Sequence, residues 1–276
     1  MKSIKEEKNR NCPNCRSSSC KGRYVAEGFR VVKCKTCGFV YVQNPVRADI
    51  NPETYDSYFE NAAAIGDNSQ NGDPEWKSSW NIYHSRVGLL INIVPQGRLL
   101  EIGCGRGYFL HLAKEAGYDV KGIEISPVAA LYAKNKYDID VLTGDMEKDN
   151  PLSTSFDVVT LWHVLEHFQN PAAVLSKVYK MLDAGGNLII EVPNLNSLKF
   201  QLAGDRDRWI GGNHPRYHLS FFTIRSLKKM LQKSGFTDIK VLHMNYFGKK
   251  RSLLACIKRI LCVFHIDSFL TIKAVK

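Results

Sequence analysis

Four cysteines stand in two pairs, Cys12-Pro-Asn-Cys15 and Cys34-Lys-Thr-Cys37, with eighteen residues between the pairs. Each pair can form a tight knuckle whose two thiolates point at one metal ion. Gly38 follows the second pair, where a positive φ is often needed. Four thiolates close the coordination sphere and leave no position for a reactive water, so Cys12, Cys15, Cys34 and Cys37 predict a structural zinc site. A redox use of these pairs lacks the adjoining βαβ pattern. Cys20 lies between them, at a spacing that suits a knuckle poorly.

The second reactive stretch runs Leu99-Leu100-Glu101-Ile102-Gly103-Cys104-Gly105-Arg106-Gly107-Tyr108-Phe109. An apolar run ends at an acid, three glycines alternate with other residues, and an amphipathic segment follows. That order predicts strand, glycine turn and helix, with Gly103, Gly105 and Gly107 letting a ligand approach the main chain. The spacing is G-x-G-x-G, whereas a dinucleotide fold uses G-x-G-x-x-G. Glu101 just ahead of it would repel a pyrophosphate and favour a cation. Two more acids fall at the next strand ends. Glu124 can accept both hydroxyls of a ribose. Asp145 can accept from an adenine amino group, with Met146 against the ring. Ile125 and Trp162, at strand ends beside them, complete the expected ligand-binding set.

The elements that must position these residues follow from the apolar pattern. Strands are expected over 98–104, 119–125, 139–143, 156–162 and 187–192, separated by helices. Ser126 before Pro127 and Asn170 before Pro171 mark two helix starts. Strands separated by helices of this length imply a parallel sheet with helices on both faces. Ahead of it, residues 20–42 predict a short hairpin plus one strand around the cysteines, a zinc ribbon. The chain then divides into a ribbon over 1–48, a linker, lid and leading helix over 49–94, and a core over 95–276. Tyr55 to Phe59 form an aromatic island that could serve as the lid. An insertion over 195–222, with Arg206, Arg208, Trp209, His214 and His218, has the composition of a substrate cover.

These motifs resemble class I S-adenosylmethionine-dependent methyltransferases. The resemblance covers Glu101 to Gly107, Glu124, Gly144-Asp145, Phe156 to Val159, Val164-Leu165-Glu166-His167, Asp183 to Gly186, Val192-Pro193-Asn194 and His218 to Thr223. It is closest in kind to the small-molecule branch similar to ubiquinone-biosynthesis enzymes; members with an amino-terminal zinc ribbon often serve glycan and secondary-metabolite pathways. The resemblance implies a doubly wound α/β sheet of seven strands, order 3-2-1-4-5-7-6, with strand 7 antiparallel. Thr237 to His243 would be strand 6 and Phe269 to Val275 strand 7. It implies S-adenosyl-L-methionine as cofactor, a small-molecule acceptor and most readily O-methylation. The region after strand 4 borders the transferring methyl in that family, so His167, then His218, are the expected catalytic bases. His163 and His167 are not expected to form a zinc pair, since no third ligand is near in sequence. Two other classes remain open: a nucleic-acid-modifying enzyme with the ribbon as reader, and a cofactor-binding domain without catalysis.

The 276 residues carry a net charge of +11, unevenly spread. Residues 1–48 hold eleven Lys and Arg against three Glu, and residues 249–276 hold seven against one Asp, so the stretch between is mildly acidic. That argues against a nucleic-acid groove through the active domain. Residues 249–264 have the pattern of a basic amphipathic helix, which could lie on an anionic membrane or, as favoured here, pack on its own domain. The start, MKSIKEEKNR, has no apolar stretch, so no secretory signal is expected. Eight cysteines then point to metal ligation in a reducing cytoplasm.

Overall fold

The structure is a computed structural model that describes residues 9–46, 52–57, 59, 74–149, 152–203, 214–244 and 268–276. The expected helix over 249–264 and the centre of the 195–222 insertion, with Arg206, Arg208 and Trp209, lie outside the described residues. Among the described residues, no helix is long and apolar enough to cross a membrane.

The amino-terminal strands are β1 (Cys20–Ala26), β2 (Phe29–Cys34) and β3 (Val40–Val42). A short helical stretch over 52–57 precedes the long helix α1 (Pro74–Ile93). The alternating core follows: β4 (Arg98–Ile102), α2 (Tyr108–Glu115), β5 (Asp119–Glu124), α3 (Pro127–Tyr137), β6 (Asp140–Thr143) and β7 (Phe156–Trp162). A single 3-10 turn, Leu165–His167, leads into α4 (Pro171–Met181) and β8 (Leu182–Pro193). The chain continues through α5 (Leu198–Leu202), β9 (Ser220–Phe221), α6 (Ile224–Lys233), β10 (Thr237–Leu242) and β11 (Phe269–Val275).

The large sheet has the order β10-β11-β8-β7-β4-β5-β6. Its central strands are parallel and β11 is antiparallel to both neighbours, as the sequence led us to expect. Side chains alternate across it. Leu100, Ile102, Val159, Leu161, Leu188 and Ile190 enter one apolar cluster, whereas Leu99, Val158 and Ile189 enter the cluster on the other face with α1 and α2. The two expected helix starts are built as read: Ser126 Oγ accepts from Ala129 N, and Asn170 Oδ1 from Ala173 N.

Two features differ from the sequence reading. The fifth strand was expected at residue 187, after a stop at Gly185-Gly186. Instead β8 begins at Leu182 and runs twelve residues: Leu182 pairs with Phe156, Gly185 N donates to the Lys276 carbonyl and Lys276 N donates to the Gly186 carbonyl. The second feature concerns the small sheet, whose order is β1-β2-β3-β9. Its last strand comes from residue 220, so Tyr41 pairs with Ser220 and Val40 with Phe221. Cys12, Val32, Cys34, Phe39 and Tyr41 share one apolar cluster with Phe222 and Leu227, so the ribbon and the core pack as one body.

Gly107 caps α2 with a φ of 76°, and a Cβ there would stand 2.8 Å from the Cβ of Ala133. The absence of a side chain there lets α2 and α3 approach. Gly107→Ala should destabilise the fold by about 1–3 kcal/mol. Urea unfolding would read this as a lowered midpoint with an unchanged slope.

Candidate active site

Parallel strands end their carboxyl termini on one edge, and ligands bind beyond it. Here that edge opens into a cleft of about 960 Å³, mouth included. Gly103, Gly105, Glu124, Ile125, Asp145 and Met146 line one part of it, and Trp162, His163 and His167 line another. Most of the residues expected to bind a ligand therefore line this cleft.

The wall is held by short-range chemistry. Glu124 is buried, and its two oxygens accept from Gly105 N at 2.8 Å and Ser126 N at 3.0 Å. Burial pushes its pKa up, the amides of Ser126, Gly105 and Ile125 pull it down, and Asp56 adds a little upward. Each oxygen keeps a lone pair for a further donor. Asp145 closes an Asx turn, with Oδ1 accepting from Glu147 N and Oδ2 paired with Lys148 at 2.9 Å. Gly105 takes a φ of 53°, and a Cβ there would meet the Phe59 ring at 3.4 Å.

Glu101 and Gly107 are not among the residues lining the cleft. Glu101 is 4% exposed, and one of its oxygens has no hydrogen-bond partner. Burial drives its pKa well above the ordinary range, against the pull of Arg86 and with a push from Glu124. The indole N–H of Trp162 is likewise buried and unpaired.

The aromatic island lies over this edge. Tyr55 and Phe59 line the cleft, Asp56 accepts from Ser126 Oγ and Val128 N, and Arg106 donates to the Phe59 carbonyl at 2.6 Å.

His167 lines the cleft, and behind it Glu166 and His218 bring their donor atoms within 4.8 Å of its own. The rings of His167 and His218 meet edge to face at 4.9 Å. Burial, with His167, His163 and His214 nearby, lowers the His218 pKa to about 4 against the pull of Glu166, leaving a neutral ring at pH 7. His163 takes a φ of 59°, and its ring nitrogens face Glu191 at 3.1 Å and Glu166 at 3.6 Å. Burial works against its charge, but these two carboxylates outweigh burial and raise its pKa to about 9.

Sequence reasoning missed Arg86 and Glu191. Arg86, from α1, binds Glu191 at 2.8 Å and lies 4.6 Å over the Trp162 ring. Glu191 also accepts from Thr271 Oγ1 on β11. No local motif marks either residue, because the pair is 105 positions apart.

In the ribbon, the four expected sulfurs form a second cluster within 4.8 Å, with Cys12 and Cys37 at 3.6 Å and Cys15 and Cys34 at 3.5 Å. The carbonyl of Cys12 accepts from Arg16 N and that of Cys34 from Gly38 N, which closes the two knuckles. Cys20 stands outside and accepts from Gln43.

Among curated proteins, the chain is 32% identical over 171 residues to a ubiquinone biosynthesis O-methyltransferase of Psychrobacter arcticus, covering 55% of this chain and 65% of that one. It is 27% identical over 181 residues to a tRNA U34 carboxymethyltransferase of Shewanella piezotolerans, covering 63% of this chain and 53% of that one. The chain therefore spans less than two thirds of either relative. The fold is similar to that of a magnesium protoporphyrin IX methyltransferase from Synechocystis PCC 6803, crystallised with S-adenosylhomocysteine, at a TM-score of 0.55 and 16% identity. That match covers 82% of this chain and 97% of that one. Residues 82–241, more than half of the chain and, apart from β11 and the last residue of β10, all of the large sheet, match the family model for the methyltransferase domain, and the chain belongs to that family.

Proposed function

We propose that the chain is an S-adenosylmethionine-dependent methyltransferase whose acceptor is a small molecule carrying a hydroxyl. The observation that carries this reading is the cleft itself: a buried carboxylate and an adenine-sized wall at one part, and an imidazole-rich part beside it. The residues fit the cofactor. Glu124 has lone pairs for two ribose hydroxyls, Met146 and Ile125 offer apolar faces to a base, and Trp162 and Glu101 hold buried polar atoms that lack a protein partner. S-adenosylmethionine supplies a methyl group on a positively charged sulfur, an electrophile that needs alignment more than activation.

The chain's own residues then have three tasks. Glu124, Asp145 and the backbone at Gly103 and Gly105 bind and orient. Tyr55 and Phe59 exclude water from the cleft. Glu166, His167 and His218 handle the acceptor's proton. His167 Nδ1 lies 3.0 Å from the carbonyl of Tyr217. That carbonyl can only accept, so Nδ1 carries the hydrogen and Nε2 keeps its lone pair. We also propose that Cys12, Cys15, Cys34 and Cys37 bind a structural zinc ion, and that residues 1–48 form the ribbon, 49–94 the lid and leading helix, and 95–276 the catalytic core.

Calorimetry tests the cofactor. S-adenosylhomocysteine should bind and NAD should not; comparable binding of NAD would refute the reading. Gly105→Val should abolish S-adenosylhomocysteine binding while circular dichroism stays native, because the side chain enters the cleft at a left-handed position. Incubation with methyl-labelled cofactor and fractionated metabolites identifies the acceptor. Labelled tRNA, with affinity falling steeply as salt rises, would instead place the chain with its tRNA-directed relatives.

Metal analysis tests the ribbon. Cys34→Ser combined with Cys37→Ser should lower zinc content by one equivalent per chain. Because these residues share an apolar cluster with Phe222 and Leu227, the melting temperature of the whole chain should fall as well.

A further inference from the structure

Cys20 is the ribbon cysteine that the four-sulfur cluster leaves unused. It stands half-buried on β1, the free edge of the small sheet, and its partner in the antiparallel register is Cys34. We propose that a hydroperoxide joins Cys20 to Cys34 in a disulfide, which takes Cys34 from the metal, releases the zinc and loosens the ribbon's hold on the segments of His167 and His218. The thiol pair stands on its own geometry. The metal release rests on the zinc reading above, and the consequence for catalysis on the methyl-transfer reading.

The register sets the two residues side by side. Lys35 N donates to the Ser19 carbonyl at 3.0 Å, whereas Cys34 N donates to the Phe39 carbonyl at 2.8 Å. Cys20 and Cys34 are therefore an antiparallel pair with no hydrogen bonds between their own backbones. Such pairs bring Cα atoms to about 4.5 Å and hold their side chains closest. A disulfide spans Cα separations of about 4.4–6.8 Å, so the bond can form without a shift of register. Both side chains lie on one face: Cys34 belongs to the apolar cluster under the ribbon, and Cys20 packs against it.

An oxidant in solution meets Cys20 first. Cys12 and Cys34 are 1% exposed, and all four clustered sulfurs are engaged once zinc is bound. Gln43 Nε2 donates to the Cys20 sulfur at 3.3 Å, a weak bond that an S–S bond can replace.

The step balances with the peroxide as oxidant. The Cys20 sulfur gives its proton to solvent and attacks the terminal peroxide oxygen. A sulfur–oxygen bond forms, the oxygen–oxygen bond breaks and an alkoxide leaves, giving a sulfenic acid. The Cys34 thiolate then leaves zinc and attacks the Cys20 sulfur. The S–S bond forms and hydroxide departs. The two sulfurs give up two electrons and the peroxide takes both. Zinc keeps three thiolates, one short of a closed structural site, and is released.

The loss is felt beyond the ribbon. Arg10 lies two residues before Cys12 and donates to the carbonyls of Gln169 and Leu219. Leu219 N in turn donates to the Glu166 carbonyl at 2.8 Å. Freeing the first knuckle therefore loosens the bonds that set His167 against His218. The wall at Glu124 is built without the ribbon, from the amides of Gly105 and Ser126.

One equivalent of hydrogen peroxide, added to the zinc-loaded chain, tests this. A chromogenic chelator should read one equivalent of zinc released per chain. Peptide mass mapping should find Cys20 joined to Cys34, with Cys12, Cys15 and Cys37 still open to alkylation. Dithiothreitol with added zinc should restore the starting state. Cys20→Ser should hold its full zinc and keep it under the same oxidant. In the oxidised wild type the Leu219 amide should exchange its hydrogen faster, while S-adenosylhomocysteine still binds. Equal zinc release from wild type and Cys20→Ser overturns the proposal, as does any other cysteine pairing in place of 20 with 34. Loss of zinc from untreated Cys20→Ser also overturns it, since Cys20 would then be a ligand. Unchanged exchange at Leu219 removes the link to the cleft. A chain without zinc that still joins Cys20 to Cys34 removes the zinc reading and the metal release with it, and metal release from a chain that binds no S-adenosylhomocysteine removes the methyl-transfer reading alone.

Discussion

One guanidinium holds the two ends of this fold together. Arg10 donates Nε to the Val42 carbonyl at 2.7 Å and its terminal nitrogens to the carbonyls of Gln169 and Leu219. It also lies 5.5 Å over the Tyr41 ring. Three carbonyls from three distant parts of the chain share one planar fork of donors, a geometry that lysine cannot offer. Burial lowers the Arg10 pKa to about 10, with Glu147, Tyr41 and Cys12 opposing, and the group stays charged at neutral pH. Hydrogen bonds to a charged group contribute about 1.5–3 kcal/mol each, and the carbonyls would be left poorly satisfied without it. The same contacts set the loop after β7 against the strand after the insertion. Leu219 then reaches the Glu166 carbonyl, and the histidines of the two segments meet.

The ligand edge concentrates buried acids, and each is kept in place differently. Glu191 is neutralised by Arg86 and His163. Glu124 is solvated by backbone amides. Glu101 keeps one oxygen without a partner, and burial drives its pKa well above the ordinary range. Glu166 has histidines on its side chain and the Leu219 amide on its carbonyl. Burial favours its neutral form, but His163 at 3.6 Å and the neighbouring imidazoles outweigh it, and its pKa falls below the usual carboxylate value. Four glutamates in one region are tolerated because only part of their charge is uncompensated by protein. Of the four, Glu124 lines the cleft, where a hydroxyl-bearing ligand can meet its remaining lone pairs.

What could be read in the sequence was whatever lies within one turn or one βα unit. The thiol pairs, the glycine turn, the acids at successive strand ends and the caps at Ser126 and Asn170 all owe their geometry to near neighbours. Arg86 with Glu191, and Glu166 with His218, are joined by packing of α1 and by the return of the chain after the insertion, and neither leaves a periodic trace. His163 and His167 do not share a donor cluster: His163 faces Glu191 and Glu166, while His167 meets Glu166 and His218, which lies 51 residues beyond it. Gly107 stands in the glycine motif, and what its spacing does not tell is that Ala133 on α3 packs against it. Spacing in sequence marks a turn; which partner that turn serves is decided by the helix packed against it.

The ribbon's charge acquires a structural use once its sheet order is known. β1 is the free edge of the small sheet, because β3 is covered by β9. An exposed edge strand invites pairing with another chain, and charged side chains are a common guard against it. Lys21 and Arg23 stand exposed on β1, while the inner residues Phe39, Val40 and Tyr41 are buried against the core. The apolar face of the ribbon thus packs against the methyltransferase domain, and exposed basic residues stand on both β1 and β2. The ribbon carries Arg10, which donates to the carbonyls of Gln169 and Leu219 and so fixes where the segments of His167 and His218 stand.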